Sequence, residues 1–211
     1  MLYYDKRFKE GWRIAIWHVT EDLEGLLYLL PDDESVRNEA QERFRTEGRQ
    51  LEWTAVRVLL FTMLGRQVPI HYDEDGAPHL PDYERLDISI SHTRGYVAVM
   101  LSEQGVVGID VEQISDRVKR IKKRFVNDDE RAETVVQLLL HWSAKETAFK
   151  LLHENKVDFL KHLHIEPFEM DESQEGTFTL RETRTDDELS LRVHYKVFPD
   201  FVLTYAHVPC E

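Results

Sequence analysis

The sequence predicts an α+β protein made of two similar halves, residues 1–104 and 105–211, that meet near residue 105. Two observations predict this. Apolar segments rich in β-branched and aromatic residues, bounded by turn chemistry, recur in both halves, and each half also holds one long stretch with helical spacing and almost no Gly or Pro. Along the chain the order is strand, helix, strands, then helix, strands.

Residues 12–19, WRIAIWHV, are aromatic and β-branched and suit an opening strand with core tryptophans. From Ser35 to Leu64 there is no Pro and a single Gly, and Phe44, Leu51, Val58 and Leu59 recur at helical spacing. This predicts one main helix, stopped at Gly65. The Asp, Gly and Pro cluster of 73–82 is a turn, after which LDISISHTRGYVAVMLSEQGVVGIDVEQI reads as three strands broken near Arg94-Gly95 and Glu103-Gly105. Residues 115–152 turn helical again, with Val118, Ile121 and Phe125 three and four apart and an uninterrupted run into WSAKETAFKLL. Beyond His164, FEMDE, TFTLRET, LSLRVHYKVF and FVLTYAHV alternate apolar with polar residues between the turn-like DESQEG, RTDDE and FPD, which predicts hairpin strands.

Composition narrows the function. With 211 residues, 42% hydrophobic and 32% charged, the chain holds enough apolar material for a folded core without staples. Forty acidic against 27 basic residues give a net charge of −13 shared by both halves, which argues against nucleic acid and anionic membranes as partners. The one cysteine, Cys210, rules out an internal disulfide and a cysteine-built zinc site and fits a reducing, cytoplasmic setting. The charged N-terminus lacks the apolar run of a signal peptide, and no apolar stretch has the length of a membrane span.

Phosphate-loop, dinucleotide-fingerprint, nucleophile-elbow and zincin patterns are missing. Instead, GIDVE (108–112) places Asp110 and Glu112 two apart on a strand, so both project from one face. Acids are depleted from strands, and two on one face suit a hard divalent cation such as Mg²⁺ as well as a plain polar edge. In WSAKETAFK (142–150), Trp142, Glu146 and Lys150 are four apart and share a helical face, as functional groups or as a simple ion pair. Ser91, His92 and Thr93 end a strand beside Arg94-Gly95, where hydroxyl, imidazole and backbone donors suit a phosphate. His162 and His164 lack nearby partners and read as surface residues rather than a metal pair.

Taken together, Ser91-His92-Thr93, then GIDVE, then WSAKETAFK resemble the signature of the 4′-phosphopantetheinyl transferases, specifically the pseudo-dimeric surfactin-synthetase-activating type. Clear resemblance covers 88–150, with softer matches at Arg49, Arg57 and Gly76-Ala77-Pro78. Ala77 stands where the family commonly has a Lys that helps hold coenzyme A, and Thr93 replaces a usual Ser.

The resemblance implies two α+β halves related by pseudo-twofold symmetry, acting as a cytoplasmic monomer. It implies transfer of phosphopantetheine from coenzyme A to a serine of an apo acyl or peptidyl carrier protein of fatty-acid, polyketide or nonribosomal-peptide synthesis. Adenosine 3′,5′-bisphosphate is released. In that picture Asp110, Glu112 and Glu146 hold Mg²⁺, Glu146 is the base for the serine hydroxyl, directly or through a metal-bound water, and Lys150 reaches a pyrophosphate oxygen. Ser91 and His92 take the 3′-phosphate of coenzyme A, with Arg49 and Arg57 adding positive charge, and coenzyme A lies in a cleft between the halves. Glu130 falls near the site. RVKRIKKR (117–124), with six basic residues in eight, reads either as a solvated helix face or as a helix that steers an acidic carrier. A Mg²⁺-dependent hydrolase of coenzyme A or another nucleotide, and a non-catalytic member of the fold, remain the alternatives.

Overall fold

A computed structural model describes residues 1–153, 156–186 and 188–210. Asp187, inside the turn predicted for RTDDE, lies outside the described residues. The chain divides into two compact units, Met1–Gln104 and Gly105–Glu211. Both combine an antiparallel sheet with helices, an α+β arrangement.

The first unit opens with β1 (Leu2–Arg7), β2 (Trp12–His18), α1 (Leu23–Leu27), α2 (Asp33–Arg43) and α3 (Glu47–Leu64). A small ribbon of β3 (His71–Tyr72) and β4 (Pro78–His79) follows, then β5 (Asp87–Thr93) and β6 (Tyr96–Ser102). The main sheet runs β1-β2-β6-β5. Trp53, Val56, Leu59 and Leu60 of α3 share a buried apolar cluster with Trp17, Val97, Val99 and Leu101 of the sheet.

Two expectations for this unit are corrected. The opening strand is β1, ahead of 12–18; it is a largely exposed edge whose charges hide the apolar alternation, and Asp5 accepts from Arg13 Nε and NH2 at 2.8 and 2.7 Å across the pair. The single helix expected over 35–64 is two. Phe44 is extended (φ −130°, ψ 130°), packs its ring near Trp53 and has its carbonyl held by Gln50 Nε2 at 2.7 Å, so the chain re-enters a helix at Thr46. Gly65 does end α3, in the left-handed conformation (φ 73°) that Gly adopts without strain.

The second unit contains β7 (Gly105–Gln113), 3₁₀ turns at Asp116–Arg120 and Lys122–Arg124, and α4 (Val135–Leu152). β8 (Leu163–Ile165), β9 (Glu175–Glu182), β10 (Ser190–Val197) and β11 (Phe201–Pro209) complete it, in the order β7-β11-β10-β9-β8. Thr134 and Gln137 form a capping box that starts α4. Leu139, Ala144 and Ala148 of that helix pack with Leu180, Val193 and Val202 of the sheet. In each unit an 18-residue helix separates a strand from its closing partner, β2 from β6 and β7 from β11.

Here too the sequence misleads in places. The expected helix over 117–124 is a pair of 3₁₀ turns; a continuous α-helix would set Lys119 near Lys123 and Arg120 near Arg124, like charges at i,i+4 that disfavour it. Val118 and Phe125 are still buried. FEMDE is not a strand: Phe168 stacks on Phe178 at 4.2 Å, and the Asp171 N–H donates to the Tyr195 hydroxyl at 3.0 Å instead of to a ladder. Among the described residues, no helix is long and apolar enough to cross a membrane.

Candidate functional site

The glycine of GIDVE shows how the second unit is assembled. A Cβ on Gly108 would lie 2.3 Å from the Thr147 carbonyl oxygen, so only Gly lets α4 cross β7 this closely. Above it, Ser143, Thr147 and Thr204 tie α4 to β11 through buried hydroxyls at 2.7 and 2.8 Å. That crossing turns the acidic face of β7 toward the Trp142, Glu146 and Lys150 face of α4.

Lys150 Nζ donates to Asp110 Oδ1 at 2.9 Å and to the Ile109 carbonyl at 3.0 Å. Trp142 Nε1 donates to Glu112 Oε1 at 2.7 Å, and its ring packs edge-on to Phe125 at 5.3 Å. Burial, then the negative charge of Asp110, pushes both Glu112 and Glu146 up to about 7. The Trp142 hydrogen bond opposes the rise at Glu112, and Lys150 opposes it at Glu146. Three carboxylates thus repel one another in a partly desolvated place with one ammonium among them. Among the described residues no group of three or more His, Cys, Asp or Glu is set to hold a metal ion by itself. The expected triad therefore shares an electrostatic neighbourhood without forming a ready-made cage.

Lys145, one residue before Glu146, points elsewhere. Its side chain is wholly buried and donates to the Phe125 carbonyl, Glu130 Oε2 and the Phe159 carbonyl at 2.6, 2.9 and 3.1 Å. Glu130 also accepts from the Asn127 and Ile165 N–H groups at 2.8 and 2.7 Å. Glu130, expected near the site, is thus a structural anchor for Lys145 and the backbone around it.

The first unit has a cleft of about 350 Å³ whose wall includes Arg43, Arg49, Arg57, Tyr72 and His92. Arg57 is buried, its guanidinium 3.0 Å from the Trp53 ring centroid and 3.9 Å from Glu39. Burial lowers it to about 10, against the raising influence of Tyr72 and Glu39. Arg49 NH1 lies 3.1 Å from Glu52 Oε2 and 3.4 Å from His92 Nε2. Gly76 and Pro78 join the wall, while the Ala77 N–H turns to Asp73 Oδ1 at 2.8 Å. Ile90 and His92 line the cleft and Ser91, between them, is buried. Strand alternation therefore puts Ser91 on the opposite face of β5, and the structure does not bring it beside His92.

Residues 106–206 match the family model of the 4′-phosphopantetheinyl transferase superfamily. The matched stretch takes in nearly the whole of the second unit. The chain is also 36% identical over 69 residues to the 4′-phosphopantetheinyl transferases AcpT of Salmonella typhi and Salmonella typhimurium. The matched stretch is 33% of this chain and spans about a third, 36%, of each relative's length.

Within the second unit, Asp110, Glu112, Glu146 and Lys150 share one neighbourhood, Asp110 and Glu112 from one face of β7 and Glu146 and Lys150 from one face of α4. Trp142 was legible as part of that face but not as the donor to Glu112. In the first unit Arg49, Arg57 and His92 meet in one cleft. Arg43 and Tyr72 were missed there; the basic cluster of QERFR (41–45) was the available signal for Arg43, and nothing local marks Tyr72.

Proposed function

We propose that this protein moves 4′-phosphopantetheine from coenzyme A to a serine of an apo acyl or peptidyl carrier protein, releasing adenosine 3′,5′-bisphosphate. The observation that carries the reading is the acidic centre of the second unit, where β7 and α4 meet at Gly108 and gather Asp110, Glu112, Glu146 and Lys150.

The donor set fits Mg²⁺. Its ligands are carboxylates whose mutual repulsion a cation relieves, and Mg²⁺ commonly takes only one or two carboxylates, completing its shell with water and substrate phosphate. Asp110, Glu112 and Glu146 would hold it. When bound, it would neutralise pyrophosphate charge and stabilise the leaving phosphate. Trp142 fixes the orientation of Glu112. Glu146 would take the serine proton as the hydroxyl oxygen attacks phosphorus. The phosphorus bond to the bridging oxygen then breaks and the bisphosphate leaves. Lys150 holds Asp110 before substrate arrives and would share its charge with a pyrophosphate oxygen afterwards. In the first unit, Arg49, Arg57 and His92 would take the 3′-phosphate, with Arg43 adding charge; Ser91 would reach a ligand only from the other face of β5.

The test is the intact mass of an apo acyl carrier protein incubated with the protein, coenzyme A and Mg²⁺. A gain of one phosphopantetheine, lost in EDTA, is expected. Cleavage of coenzyme A with no gain on the carrier would instead favour a hydrolase, and intact coenzyme A with several carriers a non-catalytic fold.

The basic turns over 117–124 would guide the carrier. All six of their Lys and Arg residues are exposed, in a chain of net charge −13. Lys119 already pairs with Asp116, and Lys122 donates to the Ala132 carbonyl at 3.0 Å, so Arg120 and Lys123 are the better probes. Arg120→Glu with Lys123→Glu should slow carrier modification several-fold at low salt, with the deficit shrinking as salt screens the encounter. Equal rates for variant and wild type at low salt would end this docking idea.

A further inference from the structure

Charge alone does not explain Glu52. It is an acid in the wall of a cleft otherwise supplied with Arg43, Arg49, Arg57 and His92, and an acid there should repel the anion that such a wall collects. Its position is informative. Glu52 follows Arg49 by three residues on α3, so the two share a helix face, and the same carboxylate oxygen lies 3.1 Å from Arg49 NH1 and 3.7 Å from His92 Nδ1. Arg49 NH1 in turn lies 3.4 Å from His92 Nε2. One carboxylate oxygen and one arm of a guanidinium thus lie beside the two nitrogens of the imidazole, bringing α3 close to β5 across the cleft.

We propose that Glu52 is a positioning residue that holds Arg49 and His92 as a preset pair for a phosphate monoester, the 3′-phosphate of coenzyme A. This rests on the reading of the cleft as a coenzyme A subsite.

The physical need is for order. Arg57 is already fixed by burial and by the face of Trp53. The Arg49 and His92 side chains are 56% and 41% exposed, and without a tether each would sample several rotamers and lose that freedom on binding. Glu52 removes much of that freedom in advance. It holds Arg49 by one arm of a planar fork that has five N–H donors in all. A monoester dianion offers three terminal oxygens and can meet the remaining N–H donors of Arg49 and Arg57 together through charge-assisted bonds, which a hydroxyl in its place cannot do. The repulsion between Glu52 and the anion is offset because the carboxylate's charge is shared between two cationic or polarised partners.

Calorimetry with two ligands, coenzyme A and 3′-dephospho-coenzyme A, tests this without any carrier. Wild type should bind coenzyme A the more tightly. Glu52→Ala should weaken coenzyme A by about tenfold, the loss of one charged hydrogen-bond network, while changing 3′-dephospho-coenzyme A less than about twofold. Glu52→Gln, whose amide oxygen still accepts from Arg49, should keep most of the discrimination. Equal weakening of both ligands by Glu52→Ala would mean a general structural role. Tighter binding of coenzyme A, or no change, would mean that Glu52 only repels or stands aside; each of these outcomes overturns the proposal. If wild type itself does not distinguish the two ligands, the cleft is not a 3′-phosphate site and the underlying reading fails with it.

Discussion

Replacing Asp110 or Glu146 with Ala should lower phosphopantetheine transfer by roughly 10³-fold, the loss expected when one preorganised charge at a reacting phosphate is removed, and should leave the fold in place. The reason for the second half lies in what holds β7 to α4. The close crossing at Gly108, the hydroxyl ties among Ser143, Thr147 and Thr204, and the apolar cluster around Leu139, Ala144 and Ala148 are all independent of the carboxylates. Asp110 is an electrostatic burden on its neighbours, since its charge is the largest cause after burial that raises Glu112 and Glu146 to about 7.

A pH series separates this from a scaffold role. Between the ordinary value of 4.5 and about 7, the folded metal-free protein keeps protons on Glu112 and Glu146 that the unfolded chain has released. Their contribution to stability is therefore fully present below 4.5 and is lost as the pH rises through 7. Asp110→Asn removes one cause of that loss. In EDTA, its unfolding midpoint should gain on wild type as pH rises from 5 to 7.5, while transfer activity collapses. A variant that loses its circular dichroism signal at every pH would show Asp110 to be structural, and one that keeps near-normal transfer would remove it from the acidic centre's chemistry.

How much of this was legible depended on period and on burial. GIDVE and WSAKETAFK could be read because periods of 2 and 3.6 each put their charged residues on one face, and Gly108 is the point where those faces meet. The first sheet's inner strands were legible from apolar runs, and β9, β10 and β11 of the second from alternation of apolar with polar residues. β1 was not, because an exposed edge strand carries charges where alternation is sought. The break at Phe44 was hidden because a half-buried aromatic fits helical spacing as well as it fits an extended corner. Separation of Ser91 from His92 was available from the strand reading itself, since neighbours on a strand face opposite ways. The cleft's other members, Arg43 and Tyr72, come from α2 and β3 and are joined only by tertiary packing.

Lys145→Met should destabilise the protein by about 3–5 kcal/mol, the range for breaking one partner of a buried ion pair, read from the urea midpoint. In sequence Lys145 looks like one more helix charge. In the structure all three N–H bonds of its ammonium are used, on Glu130 and on the carbonyls of Phe125 and Phe159, and burial pushes its pKa below the ordinary lysine value. Methionine fills similar volume but leaves two carbonyls without their donor and the Glu130 carboxylate buried without its cation. Glu130 retains the N–H donors of Asn127 and Ile165, which softens the loss without removing it. Glu130→Gln alone should also destabilise, because an amide NH₂ must then face one of those N–H donors or the ammonium. The two changes together should cost less than the sum of the singles by about 0.5–3 kcal/mol, the coupling expected of residues in direct contact. A Lys145→Met variant within about 1 kcal/mol of wild type, or strict additivity in the double variant, would show that the pair does not anchor α4 to the segments around Phe125 and Phe159.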